Sequence, residues 1–173
     1  MKELILGGVR SGKSRFAERC ALESGLAIVY IATATPGDDE MRSRIEEHRR
    51  RRPRDWLTVE EPRALAQALR RHARNDRCVL IECLTLWLTN LLRAESSQAL
   101  ETERASLLAS VQELPGHVIF VSNETGQGVI PIDPLSRRFC DEAGHLHQDL
   151  AGICDRVTLM AAGLPLLLKG SLR

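Results

Sequence analysis

Residues 7–14 read GGVRSGKS, the spacing GxxxxGKS, placed between a short apolar run and an amphipathic one. A strand before this pattern and a helix after it let the backbone through Gly7, Gly8, Val9, Arg10, Ser11 and Gly12 wrap a phosphate chain, with its N–H groups turned inward. The N-terminus of the following helix adds partial positive charge. Lys13 would reach the β- and γ-phosphates, and Ser14 would be a Mg²⁺ ligand. The alternative is a glycine turn with an incidental lysine, and the strand-and-helix context argues against it.

A second cluster is EEHRRRRP, residues 46–53, in which His48 is followed by Arg49, Arg50, Arg51 and Arg52. On a helix over 38–52, Met41, Ile45 and His48 share a face, and Arg44, Arg51 and Arg52 flank the imidazole. A neutral imidazole is a nucleophile, and neighbouring cations disfavour its protonation. Arginines bind phosphate oxygens bidentately and neutralise a pyrophosphate leaving group. This pattern suits a histidine that attacks the α-phosphorus of a nucleotide. A solvated, charged helix end with a surface histidine explains the same letters, and local sequence alone favours that plainer reading. A third candidate is Glu82, the acid closing the apolar run CVLIEC, where a carboxylate could hold Mg²⁺, often through water. A solvent-facing strand end is the alternative there.

The elements that must position these residues are read from periodicity. ELILGG, AIVYIAT, CVLIEC and HVIFVSNE read as buried strands. KSRFAERCALES, DDEMRSRIEEHRR, PRALAQALRRHA, LTLWLTNLLRAE, SLLASVQEL and SRRFCDEAGHLHQDLAGIC read as helices. RVTLMAAG and LPLLLKG read as a closing pair of strands, and residues 95–102 as the most loop-like segment. Strands separated by helices imply an α/β fold, a mostly parallel sheet with helices on both faces. The 173 residues are expected to form a single nucleotide-binding domain.

The chain carries 24 basic and 23 acidic residues, a balance that argues against a general nucleic-acid or membrane-surface binder. The five cysteines show no CxxC spacing and are expected as reduced, mostly buried thiols. With no signal peptide and no apolar stretch of membrane-spanning length, a cytoplasmic location is expected. His72, His117, His145 and His147 are expected as surface or packing residues; His145 and His147 are two apart, which points them to different helix faces.

Several stretches together carry a resemblance: GGVRSGKS, YIATATPGDDEMRSRIEEHRRRRPRDW, TVEE, LIECLTLWLTNLL and VSNETGQGVIP, with RRFCDEAGHLHQDLA in the C-terminal part. The chain resembles the bifunctional adenosylcobinamide kinase / adenosylcobinamide-phosphate guanylyltransferase family of cobalamin biosynthesis. The resemblance implies a RecA-like P-loop NTPase fold and a homotrimer with sites between subunits. It implies phosphorylation of adenosylcobinamide with GTP or ATP as phosphoryl donor. GMP then passes from GTP, the guanylyl donor, through a guanylyl-histidine to adenosylcobinamide phosphate, giving adenosylcobinamide-GDP. Carried over by motif position, His48 is the guanylylated residue and Gly7 to Ser14 are the phosphate loop. Ala32, Thr33 and Ala34 line the nucleotide site. Arg49 to Arg52 lie beside His48, and Glu60 and Glu82 contact nucleotide or Mg²⁺. Some members carry two adjacent histidines in the EEH region; this chain has Glu47 and then His48. The implied partners are the corrinoid substrates, with no nucleic acid and no membrane span. Guanine preference comes from the resemblance alone, since no NKxD motif is present. Two competing readings are a small-molecule P-loop kinase without nucleotidyl transfer and a RecA-like nucleic-acid-dependent ATPase.

Overall fold

The structure is a computed structural model that describes residues 1–35, 55–94 and 97–171, together with Gly37, Asp39, Arg42, Ser43, Glu46, Arg50 and Pro53. Strands β1 (Lys2–Gly7), β2 (Ala27–Ala32), β3 (Leu57–Glu60), β4 (Arg77–Glu82), β5 (His117–Asn123), β6 (Arg156–Ala161) and β7 (Leu164–Lys169) alternate with helices α1 (Lys13–Glu23), α2 (Leu65–His72), α3 (Leu84–Leu92), α4 (Ser97–Val111) and α5 (Pro134–Ile153). The strands form one sheet in the order β3-β2-β4-β5-β1-β6-β7. All neighbours pair in parallel except β6 and β7, which are antiparallel.

The central strands are apolar on both faces because both faces are covered. Leu4, Leu6, Val29, Ile31, Val79, Ile81, Val118 and Phe120 pack with α2, α3, α4 and α5 into one core. Ile5, Tyr30, Leu80, Ile119 and Val121 point the other way and pack with Ala17, Cys20 and Ala21 of α1 and with Trp56. Helices on both faces were expected, and the division is four against one among the described helices.

Local sequence explains several boundaries. α5 starts where Asp133 accepts the N–H of Ser136 at 2.8 Å, with Pro134 in the first turn. α2 ends in Arg70, Arg71 and His72, where cations suit the helix dipole. The two-residue turn Ala162–Gly163 joins β6 to β7 with φ of 50° and 82°, as a tight hairpin requires.

Two expectations are corrected. β3 was not read as a strand; its four residues pair with β2 at the sheet edge, and only Val59 is partly buried. Residues 97–102 are helical rather than loop, because α4 begins at Ser97 and buries Leu100. Of the expected helix over 38–52, Asp39, Arg42, Ser43, Glu46 and Arg50 are helical. Asp38, Glu40, Met41, Arg44, Ile45, Glu47, His48, Arg49, Arg51 and Arg52 lie outside the described residues. The five cysteines form no disulfide, and all but Cys140 are buried.

Candidate functional site

The carboxyl ends of the parallel strands define one rim of the sheet. The segment GGVRSGKS emerges there from β1, between β5 on one side and β6 on the other. Gly12, at φ 93°, is the N-cap of α1 and brings no side-chain cap, so the first N–H groups of the helix face outward without an internal acceptor. The loop rests on the β6–β7 turn. Gly163 donates its N–H to Ser11 O at 2.9 Å, and a Cβ on Gly12 would lie 3.3 Å from Gly163 Cα. The close approach of two backbones is what these glycines permit.

Lys13 is 8% exposed and folds back so that Nζ donates to Gly8 O at 3.2 Å. Burial pulls its pKa below the usual lysine value, with neighbouring Cys83 and Glu82 acting in the opposite direction. Ser11 Oγ is buried and has no hydrogen-bond partner among the described residues. An ammonium, helix N–H groups and an orphaned hydroxyl around one loop form an anion cradle.

Ser14 Oγ donates to Glu82 Oε1 in a short contact. The hydroxyl comes from the first turn of α1 and the carboxylate from the end of β4, so two sequence-distant groups meet. A hydroxyl and a carboxylate are hard oxygen donors, and Mg²⁺ takes one or two carboxylates while keeping several waters. The pair therefore fits such an ion; its chemistry there would be charge neutralisation at phosphate oxygens.

The Ala32–Ala34 segment closes β2 and turns beside Glu82. Thr33 N donates to Glu82 O at 3.1 Å, while Thr33 Oγ1 donates to Cys83 O and accepts from Cys83 N, both at 2.8 Å. Thr33 is fully buried, and Ala32 and Ala34 are partly exposed. Glu60 is exposed at the end of β3, paired in register with Ala32. Arg50 is exposed and ion-paired with Glu46 at 3.5 Å. The structure thus places Gly7 to Ser14, Ala32 to Ala34 and Glu82 along one rim, with Glu60 on that rim at the sheet edge, four strands from the loop, while His48, Arg49, Arg51 and Arg52 lie outside the described residues.

Sequence reasoning missed three contributors to this rim. Asn90 of α3 donates through Nδ2 to Thr33 O at 2.8 Å and to Pro62 O at 3.1 Å, and its Oδ1 accepts from Thr35 at 2.9 Å. One amide thus fixes the loops after β2 and β3. Glu124 donates its N–H to Gly7 O at 3.1 Å. His147, expected as a surface or packing residue, is buried against Ser122 Oγ at 2.7 Å. Asn90 lay inside a quoted motif, yet nothing in its spacing signalled these partners. His145 is exposed and His147 buried, the two-face arrangement expected for them. No group of three or more metal-ligating side chains occurs among the described residues.

Comparison with protein families matches residues 3–168 to "Cobinamide kinase / cobinamide phosphate guanyltransferase". The chain is 62% identical over 170 residues to a "Bifunctional adenosylcobalamin biosynthesis protein CobP" of Pseudomonas aeruginosa, covering 98% of each chain. It is 38% identical over 182 residues to a "Bifunctional adenosylcobalamin biosynthesis protein CobU" of Escherichia coli K12, covering 98% of this chain and all of the other. Among solved structures it is similar in fold to the RadB recombinase, with a TM-score of 0.51 at 16% identity over 91% of this chain and 73% of that one. It is also similar to the P4 protein of bacteriophage phi6 in complex with ADP, with a TM-score of 0.50 at 13% identity over 95% and 53%. These likenesses show the fold, a mostly parallel sheet with helices on both faces.

Proposed function

This chain belongs to the cobinamide kinase / cobinamide phosphate guanyltransferase family, and from that premise we propose how its own residues divide the two reactions. The observation that carries the reading is the convergence of Lys13, Ser14 and Glu82 at the mouth of the GGVRSGKS loop.

In the kinase reaction, the loop from Gly7 to Gly12 holds the phosphates of GTP or ATP through backbone N–H groups. Lys13 neutralises charge on the transferring phosphoryl group, and Ser14 with Glu82 provides the Mg²⁺ site. The acceptor is the hydroxyl on the aminopropanol arm of adenosylcobinamide. Positioning and charge neutralisation account for most of the catalysis in such transfers.

In the guanylyl reaction, a ring nitrogen of His48 attacks the α-phosphorus of GTP. The N–P bond forms as the Pα–O bond to pyrophosphate breaks, and pyrophosphate leaves with that electron pair. A phosphate oxygen of adenosylcobinamide phosphate then displaces His48 and yields adenosylcobinamide-GDP. Arg49, Arg50, Arg51 and Arg52 pair with phosphate oxygens, and Ala32 to Ala34 with Glu60 border the nucleotide. The support for His48 is its spacing within a run of arginines and its place in the family motif.

The reading extends to assembly and location. Leu164, Leu166 and Leu168 on the edge strand β7 are exposed, as are Val129, Ile130 and Ile132. Such apolar surface is usual where another chain covers it, and a homotrimer is proposed. No described helix is long and apolar enough to cross a membrane, and the enzyme is assigned to the cytoplasm. No nucleic-acid partner is assigned, and a salt-titrated binding assay with single-stranded DNA and RNA checks that assignment.

The test of the whole reading uses GTP labelled on the α-phosphate. The protein should acquire an acid-labile, base-stable label, which transfers to adenosylcobinamide phosphate on chase. Phosphorylation without any label would leave a simple P-loop kinase. A monomer by light scattering at assay concentration, fully active, would contradict the trimer.

A further inference from the structure

Among the described acids of the sheet's carboxyl rim, three already have a task or lie far from the phosphate loop. Glu82 engages Ser14. Glu61 accepts the N–H groups of Arg63 and Ala64 and so shapes the entry to α2. Glu60 closes β3, four strands from β1, a separation of roughly 19 Å at the ordinary strand spacing.

Glu124 differs. It follows β5, the immediate neighbour of β1, and its N–H is held by Gly7 O at 3.1 Å. Its carboxylate is 21% exposed, so it reaches solvent at the loop mouth while one side stays covered. Oε1 accepts the N–H of Gly126 at 2.7 Å, which fixes its direction. Behind Oε2, at 3.8 Å, lies Nδ1 of the buried His147. The far nitrogen of that ring, Nε2, is 2.7 Å from Ser122 Oγ. Burial holds the pKa of His147 below the usual histidine value, with Glu124 acting in the opposite direction, so the ring is neutral at pH 7 and carries one N–H. When the Ser122 hydroxyl donates into Nε2, that N–H sits on Nδ1 and faces the carboxylate. Ser122 thus anchors the ring at hydrogen-bond distance, while Nδ1, 3.8 Å from Oε2, backs the carboxylate without hydrogen-bonding it.

We propose that Glu124 accepts the proton of the cobinamide hydroxyl during phosphoryl transfer, and that His147, anchored on Ser122, is the positioning residue that holds the carboxylate. The assignment rests on the kinase activity of the family. As the acceptor oxygen bonds to the γ-phosphorus, the bond from that phosphorus to the β-phosphate oxygen breaks. The nucleoside diphosphate departs with the electron pair, and the hydroxyl proton moves to Glu124. Glu82 is engaged with Ser14, where Mg²⁺ would be held, so the two carboxylates have separate tasks.

The test compares steady-state phosphorylation of adenosylcobinamide by the full chain and its variants, with GTP and Mg²⁺. Glu124→Gln, an isosteric change at a partly exposed side chain, should lower kcat by about 10²- to 10⁴-fold, the usual weight of a general base. The KM for GTP should stay close to that of the unaltered protein, because no triphosphate contact is removed. Glu124→Asp keeps a base and should recover part of the rate. His147→Asn should lower kcat by up to about 10²-fold through misplacement of the carboxylate. Equal kcat for Glu124→Gln and the unaltered protein overturns the inference, and so does a rise in KM with kcat preserved. Full kcat in His147→Asn removes the positioning role. Absence of phosphorylation by the unaltered protein sinks the kinase reading itself, and the assignment of Glu124 with it.

Discussion

The hydroxyl of Ser14 donates to the carboxylate of Glu82 across 68 positions of sequence. That contact joins the phosphate loop to the end of β4, and the proposed function has these two groups hold Mg²⁺. Glu82→Gln removes the negative charge and keeps the shape. The expected outcome is a loss of about 10²-fold or more in phosphorylation rate, with a raised Mg²⁺ requirement that a metal titration of activity measures. Saturation at the unaltered Mg²⁺ concentration would remove Glu82 from the metal site.

Lys13→Ala tests the other half of the loop. Its ammonium is buried beside Gly8 O and cannot be replaced by solvent. Loss of one preorganised electrostatic contact at a transferring phosphoryl group costs about 10²- to 10³-fold in kcat. Isothermal titration with GTP should show weakened binding as well, because the same cation meets the ground-state phosphates. Near-normal phosphorylation by this variant would exclude the proposed role.

At the opposite end of the sheet, Glu3 is 1% exposed and accepts from Arg156 Nε at 2.6 Å, with His117 Nε2 at 2.6 Å on its other oxygen. Burial raises its pKa, but the His117 and Arg156 hydrogen bonds prevail and hold it below the usual carboxylate value. A carboxylate with a lowered folded pKa stabilises the fold above its unfolded pKa, near 4.5, and loses that contribution as pH falls through the folded value. Glu3→Gln should cost about 3–5 kcal/mol at pH 7, since Arg156 is left buried without its counter-ion. Urea denaturation from pH 7 down to pH 3 should show the gap between variant and parent narrowing only below about pH 4.5. A constant gap would show that charge is not the cause.

Gly116 precedes β5 at φ 73°, and a Cβ there would lie 2.0 Å from Arg74 O and 2.7 Å from Arg77 O. Gly116→Ala meets two penalties: the left-handed conformation, roughly 1–2 kcal/mol, and the overlap with fixed backbone, roughly 1–3 kcal/mol. Thermal unfolding should shift down accordingly. The rim of the sheet lies at the other end of β5, so residual folded protein should keep its affinity for GTP.

Legibility in the sequence followed local signals. The loop, its flanking strand and helix, and Glu82 at the end of an apolar run were readable because each rests on spacing within a few residues. The covered faces were readable from runs such as CVLIEC, which a parallel sheet requires. β3 was not, since LTVE is short and mostly exposed, and its identity comes from pairing with β2. The start of α4 escaped because SQALET has no capping box and only one large apolar residue, Leu100, which is recruited to the core by neighbours distant in sequence. Asn90 and His147 were unreadable as site residues. Their significance lies in partners 57 and 25 positions away, Thr33 and Ser122. Tertiary proximity of that kind leaves no periodic trace.

The final prediction separates the two chemistries at His48. Phosphoryl transfer needs a bound triphosphate, a cation and an aligned hydroxyl, which the proposed function has Lys13, Ser14, Glu82 and the rim of the sheet position. It needs no covalent intermediate on the protein. Guanylyl transfer, as proposed, passes through a phosphoramidate, with one displacement to form it and another to break it, so the stereochemistry at the α-phosphorus inverts twice. His48→Ala or His48→Asn should abolish the labelled GMP adduct and the formation of adenosylcobinamide-GDP, while phosphorylation persists at least in part. Net retention at the α-phosphorus in the unaltered protein, read with a chiral phosphorothioate analogue, is the matching stereochemical result. Arg51→Ala and Arg52→Ala should slow adduct formation without eliminating it, because each removes phosphate contacts and leaves the nucleophile. A covalent GMP adduct on His48→Ala would place the nucleophile elsewhere and leave the arginine run without its proposed purpose.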